Sequence, residues 1–283
     1  MKIIRTIVEL NEELNSLKRN KPDLIVGLVP TMGALHDGHA KLIQKSIQLC
    51  DIVVVSVFVN PTQFNNLDDL IKYPRNEDDD AVILNEVGCD IMFLPSVEEV
   101  YPDSQKTIKI DLNGLDNVME GEFRPGHFDG VVTVVNRLFE MTNADKAFFG
   151  KKDYQQLAIV KRMVQVLEWN TEIVGLDIER SEKGLALSSR NARLSQEQLD
   201  DALIIYRCLQ YGKEQFKTIK SALELTSKMK VFFNKGDLEL EYLTIVDNQT
   251  LQIIDHVTEN CSVCLAAFCD KVRLIDNLQF SDF

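Results

Sequence analysis

The chain has 283 residues, close to twice the usual size of a domain, so one large domain or a large domain with a smaller appendage are the natural divisions. With 45% hydrophobic and 27% charged residues, and only 7 Pro and 13 Gly, the composition excludes disordered, fibrous and low-complexity chains. The formal charge of −13, from 31 Lys and Arg against 44 Asp and Glu, argues against a nucleic-acid partner but leaves open an anionic small substrate held by a few focused cations.

In chain order, Met1-Lys2-Ile3-Ile4-Arg5 lacks the apolar core of a targeting peptide, and no run of about 20 apolar residues follows. A cytoplasmic protein without a membrane partner is therefore expected. Residues 24–29 read as a buried strand, 38–49 as a helix with Ala40, Ile43 and Ile47 on one face, and 52–59 as a strand too rich in β-branched residues for a comfortable helix. A helix over 78–87 and a strand over 90–94, stopped by Pro95, come next. The order then continues as helix 128–141, strand 146–149, helix 154–168 and strand 172–178. This alternation predicts an α/β fold with a doubly wound parallel sheet.

From about residue 194 the texture changes to two helical stretches, 195–216 and 218–233, and three short strands near Tyr242, Val263 and Val272. Ser195 with Gln198 three residues on reads as a capping box opening the first. The expected division is residues 1–183 as a Rossmann-like domain and 184–283 as a smaller α+β domain. Six cysteines in a chain of this length suit reduced, buried thiols. Cys261-Ser262-Val263-Cys264 lies in an alternating apolar run with no second ligand pair beyond Cys269, so it reads as strand rather than zinc site.

Two of the four histidines fall in Pro30-Thr31-Met32-Gly33-Ala34-Leu35-His36-Asp37-Gly38-His39, between the first clear strand and its helix. In an open parallel sheet, ligands bind beyond the carboxyl ends of strands, where helix N-termini aim N–H groups at anions. Two imidazoles three apart at that position can both donate to a triphosphate. The motif resembles the HxGH nucleotidyltransferase superfamily, whose members hold ATP there and attack its α-phosphorus.

Further segments narrow the resemblance. Phe58-Val59-Asn60-Pro61-Thr62-Gln63-Phe64, Tyr73-Pro74-Arg75, Glu120 to Phe128, Phe149-Gly150-Lys151-Lys152-Asp153-Tyr154-Gln155-Gln156-Leu157 and Gly184 to Asn191 are similar, in order, to segments of the pantothenate synthetase family. The residues make chemical sense by themselves. Asn60 and Gln63 end a strand at the ligand edge, and amides suit a hydroxy acid. Lys152 is a flexible point charge fit for a moving phosphate. Asp153 reads as a helix cap that can also reach a ribose. Ser188, Ser189 and Arg190 can close over β and γ phosphates, on a loop whose Gly184 and polar neighbours suggest little packing of its own. Asp78-Asp79-Asp80 reads first as an acidic helix start.

What the resemblance implies is condensation of pantoate with β-alanine to pantothenate through a pantoyl-adenylate, with ATP as substrate and Mg2+ as its metal. It further implies catalytic roles for His36, His39, Lys152, Ser188, Ser189 and Arg190. ATP would lie along Met32, Gly33, Ala34, Leu35, His36, Asp37, Gly38 and His39, along Gly150, Lys151, Lys152 and Asp153, and along Glu179 and Leu187 to Arg190. Pantoate and β-alanine would meet Pro30, Thr31, Met32, Asn60, Gln63 and Gln156. Tyr73, Arg124 and His127 would support the substrate site, Asp79 and Asp80 would lie near the metal, and a homodimer is implied. Lys151, Glu179 and the pair Asn65-Asn66 depart from the family's usual residues and bear on ATP affinity. A nucleotidyltransferase acting on a phosphate acceptor would have no use for the Gln63 and Gln156 pair. A synthetase acting on tRNA is disfavoured by the charge, and a dead regulator by the retained histidines, Lys152 and Arg190.

Overall fold

A computed structural model of the chain describes residues 1–65, 67–102 and 107–281, so Asn66 lies outside the described residues. The chain divides into two compact units. The first comprises Met1–Asn113, Arg124–Lys151 and Gln156–Asp177; the second comprises Gly114–Phe123, Lys152–Gln155 and everything from Ile178.

The first unit is built on six parallel strands, β1 (Lys2–Ile4), β2 (Val26–Thr31), β3 (Ile52–Val57), β4 (Ile91–Phe93), β5 (Lys146–Gly150) and β6 (Glu172–Leu176). They lie in the order β1-β4-β3-β2-β5-β6. Helices Asp37–Leu49, Glu77–Glu86, His127–Thr142 and Tyr154–Val166 stand near their expected places. The interior strands are buried on both faces, with Val26, Leu28, Val29, Val54, Val55, Met92, Phe93 and Phe148 all at or near full burial. That is why they read as continuous apolar runs rather than as alternation.

Besides short helical turns such as Leu67–Ile71, Val97–Val100 and Met119–Phe123, two elements near the N-terminus lie outside the sequence expectation. β1 is a three-residue edge strand with one buried residue, too short for a pattern. Helix Ile7–Asn20 buries only Leu10 and Leu14, and its start is set by a capping box between Thr6 and Glu9. The expected strand 52–59 stops at Val57, because the chain turns at Asn60 into a 3-10 helix at Pro61–Gln63.

The strand order places a topological switch point beside β2. The chain runs from β2 outward through β3 to β4, then returns to pair β5 with the other side of β2. The crevice between the carboxyl ends of β2 and β5 is where such sheets bind ligands.

The second unit is a three-stranded antiparallel sheet, β7 (Glu239–Asp247), β8 (Cys261–Cys269) and β9 (Val272–Gln279), with β8 central. Helices Leu203–Gln215 and Ala222–Phe233 pack on it through Cys208, Leu209, Leu225, Met229 and Phe233, all fully buried. The expected helix 195–216 is two, Gln196–Asp201 and Leu203–Gln215, meeting at Ala202. The Ser195 and Gln198 capping box opens the first, as read from sequence. Cys261, Cys264 and Cys269 are buried residues of β8, as the alternating run suggested.

Gly27 shows how closely the helix after β2 is laid on the sheet. A Cβ there would lie 2.3 Å from Ser46 Oγ and 2.7 Å from Cys50 Sγ. Gly27→Ala is therefore expected to lower the unfolding free energy by roughly 1–3 kcal/mol, the usual cost of overpacking. Urea denaturation measures it, and an unchanged midpoint would mean that the helix yields without cost.

Candidate active site

In the first unit the segment from Thr31 to His39 leaves β2 and enters helix Asp37–Leu49, and side chains accept from the amides of Gly33, Ala34, Leu35, His36 and Gly38. Thr31 Oγ1 donates to Ser56 O at 2.7 Å and accepts from Gly33 N at 3.2 Å. Gly33 and Ala34 both have positive φ, 78° and 50°, which turns the next amides inward. Ala34 N and Leu35 N donate to the two oxygens of Asp80 at 3.0 and 2.7 Å. Burial pushes the Asp80 carboxyl up, and those two backbone donors pull it part of the way back.

The two histidines form a capping box of imidazoles. His36 Nδ1 accepts from Gly38 N at 3.1 Å, and His39 Nδ1 accepts from His36 N at 3.3 Å. A backbone N–H can only donate, so in both rings Nδ1 is the acceptor and Nε2 carries the proton. The rings lie 4.1 Å apart, both half-buried, on the first turn of the helix. Their geometry offers N–H donors from Nε2 and excludes a role for the neutral rings as bases through Nδ1.

Asn60 is saturated by protein. Its Oδ1 accepts from Tyr101 Oη, Thr62 N and Thr62 Oγ1, and its Nδ2 donates to Gly130 O at 3.2 Å and to Gln63 Oε1 at 3.0 Å. With 1% exposure it orients Gln63 rather than meeting a ligand itself. Because Asn60 must donate to Gly130 O, the atom of Gln63 that faces it is the oxygen, and Gln63 Nε2 points to Met32 Sδ at 3.1 Å. Arg124 Nη2 and His127 Nδ1 both donate to Gln63 O, at 3.2 and 2.8 Å, so these supports act on its backbone. Tyr73 packs edge-on against Phe64. Pro30 and Thr31 end β2, Gly150 ends β5, and Gln156 is half-buried on helix Tyr154–Val166. Lys151 Nζ pairs with Asp177 at 2.5 Å.

Asp79 is exposed and accepts from the side chain of Asn76, the cap of its helix. Among the described residues no group of three or more His, Cys, Asp or Glu could hold a metal. A magnesium ion usually keeps its waters and leans on substrate phosphates with one or two carboxylates. Asp80, 2% exposed with each oxygen holding an amide, does not fit that role.

In the second unit Lys152, Ser188, Arg190 and Asp276 line one pocket. Lys152 Nζ is 3.7 Å from the Asp153 carboxylate, and its carbonyl accepts from Asn277 Nδ2 at 2.9 Å. Ser188 caps a 3-10 helix at Ser189–Arg193, with Oγ accepting from Arg190 N. Glu179 O accepts from Leu187 N at 2.9 Å, next to a bridge between Arg180 and Ala186. The loop expected to have little packing is in fact well packed. Leu185 and Ala186 join the core, and Gly184 (φ 101°) lies so near Tyr206 that a Cβ would be 2.1 Å from its ring. Arg180 grips Asp276 through both Nη atoms at 2.6 and 2.9 Å and stacks over Tyr206. Sequence reasoning missed Tyr101, Arg180, Asp276 and Asn277, because their partners lie 41, 96, 96 and 125 residues away.

Residues 2–279 match the model of the pantoate-beta-alanine ligase family. The chain belongs to that family. The pantothenate synthetase of Bacteroides fragilis is 47% identical over the whole of both chains, and that of Caldicellulosiruptor bescii is 41% identical over 98% of each. Among solved structures, the Thermus thermophilus pantothenate synthetase superposes with a TM-score of 0.92 at 39% identity, covering 99% of each chain. A Francisella tularensis pantoate-beta-alanine ligase, complexed with Beta-gamma ATP and Beta-alanine, has a TM-score of 0.83 at 36% identity, covering 100% of this chain and 99% of its own. Thus the family resemblance drawn from motifs between Pro30 and Asn191 holds over nearly the full chain.

His36 carries two jobs that substitution can separate. Asn at position 36 keeps an acceptor where Nδ1 stands and is itself a preferred N-cap, but it has no donor where Nε2 stands. His36→Asn is expected to retain the wild-type melting temperature while losing roughly 10²-fold or more in kcat, the scale of one lost preorganised donor. Thermal unfolding and initial rates check it, and parallel losses in both would tie the ring only to the fold.

Proposed function

We propose that this chain is an ATP-dependent ligase that condenses pantoate with β-alanine to pantothenate, releasing AMP and pyrophosphate through a pantoyl-adenylate. The observation that carries the reading is the imidazole capping box beside β2, in a chain whose family membership extends from end to end. A carboxylate is a poor acyl donor because oxide would have to leave. Attack by the pantoate carboxylate oxygen on the α-phosphorus expels pyrophosphate and makes AMP the leaving group. The β-alanine amine then adds to the activated carbonyl and AMP departs with the carboxylate oxygen.

The first step needs little proton transfer, so placement and charge stabilisation dominate. His36 and His39 serve as Nε2–H donors to the phosphates, as do Lys152, Ser188, Ser189 and Arg190. Gln63 offers its amide N–H to pantoate, oriented by Asn60 and seated by Arg124 and His127, with Gln156 as the second amide. Pro30, Thr31 and Met32 line the acid's side, while Gly33 to Gly38, Gly150, Lys151, Asp153, Glu179 and Leu187 belong to the nucleotide's side. Mg2+ would enter with ATP, neutralising charge on its phosphates. The reading extends to a cytoplasmic homodimer; among the described residues no helix is long and apolar enough to cross a membrane.

Rapid quenching of enzyme with ATP and pantoate, with the amine withheld, tests the reading. Roughly one equivalent of pyrophosphate per chain is expected to form in a burst, with no ADP. Gln63→Ala and Gln156→Ala should each abolish the burst at pantoate levels that saturate the wild type, while ATP binding stays nearly intact. Release of ADP and inorganic phosphate would assign the chain to acyl-phosphate chemistry instead.

A further inference from the structure

Asp80 lies in an acidic run at the start of helix Glu77–Glu86, a pattern that the family resemblance links to the metal of Mg-ATP. Its surroundings give it different work. The neighbouring Asp79 is exposed, whereas Asp80 is 2% exposed and turned toward the loop that follows β2. There two successive amides, Ala34 N and Leu35 N, converge on its two oxygens at 3.0 and 2.7 Å. Successive N–H groups in a turn of this kind make an anion-binding concavity, and in this protein the anion is a side chain. Gly33 is shaped to admit it, since a Cβ at that position would stand 2.8 Å from Asp80 Oδ2 and 3.0 Å from Val57 Cγ1.

We infer that Asp80 is a positioning residue for the nucleotide site: by holding the Ala34 and Leu35 amides it fixes where His36 and His39 present Nε2–H, and it does not ligate magnesium. The inference rests on the proposed role of Met32 to His39 in ATP binding. Its chemistry follows from donor accounting. His36 N is the next amide after Leu35 N, and it donates to His39 Nδ1. A loop displaced at Leu35 thus displaces the capping box directly. Asp80→Asn keeps the shape and one acceptor oxygen but turns an amide N–H toward one of the loop's own N–H groups.

Calorimetric titration with ATP separates the two roles, because it can be run with the metal chelated by EDTA and with excess Mg2+. Asp80→Asn is expected to weaken ATP binding on the order of tenfold in both conditions. In a His39→Ala background the same substitution should cost clearly less, since its effect passes through the imidazole. A loss seen only with Mg2+, or an undiminished loss in the His39→Ala background, overturns the inference. Gly33→Ala pushes on the same carboxylate from the loop side and guards against a folding defect in the first variant. It too should weaken binding without regard to metal, and normal ATP affinity in a folded Gly33→Ala protein overturns the inference as well. Failure of the wild type to bind ATP at all would instead sink the parent reading, and this one with it.

Discussion

Backbone amides between the end of β2 and the first turn of the next helix need acceptors, and five of them find side chains that shape the first unit's candidate site. Thr31 takes Gly33, Asp80 takes Ala34 and Leu35, His39 takes His36, and His36 takes Gly38. Orphan amides at a helix start are normally left for water, a small cap or a ligand. Here imidazoles do the capping, and the nitrogen that caps determines which nitrogen is left to carry a proton. The same hydrogen bonds that end the strand and begin the helix therefore set the chemical character of the site. Because Val26 to Val29 of the strand before them are buried and Gly27 lets the helix lie directly on it, the loop has little room to find another arrangement.

The second unit fixes Arg180 and Lys152 by another means. Asp276 and Asn277, neighbours on β9, hold Arg180 and the carbonyl of Lys152 respectively. A buried ion pair such as Arg180 with Asp276 gains little net stability over an apolar pair of the same shape, but it tolerates few geometries. The proposed function would draw on that restriction at Ser188 and Arg190, since preorganised donors need no rearrangement at the moment of reaction. Gln155 and Gln156 show the same economy on adjacent residues. Gln155 is buried, accepting from Glu120 N and donating to Leu115 O and Val118 O, whereas Gln156 beside it is half-buried and is the amide that the proposed function assigns to pantoate.

The interior strands were legible because burial on both faces leaves unbroken runs such as Val53 to Val55, and the HxGH pair was legible because His is scarce and falls at a strand-to-helix junction. Ser195 announced its helix because a capping box is local. Thr6 and Glu9 carried the same signal for helix Ile7–Asn20, which a search for apolar periodicity passes over when only Leu10 and Leu14 are buried. What sequence could not reveal is which polar residues face inward. Asp79 and Asp80 are alike in pattern, and only a contact with residues 45 and 46 positions away distinguishes them. Asn60 looked like a ligand-binding amide for the same reason, until Tyr101 and Gly130 were found to use it up.

The central claim is that the pantoate carboxylate itself attacks the α-phosphorus, with His36, His39 and their partners doing no more than placing and neutralising. Pantoate labelled with ¹⁸O in its carboxylate, turned over with ATP and β-alanine and followed by mass spectrometry of the products, tests it most directly. The account predicts one label in AMP for each pantothenate formed and none in pyrophosphate. Unlabelled AMP, or label recovered in inorganic phosphate, would contradict it.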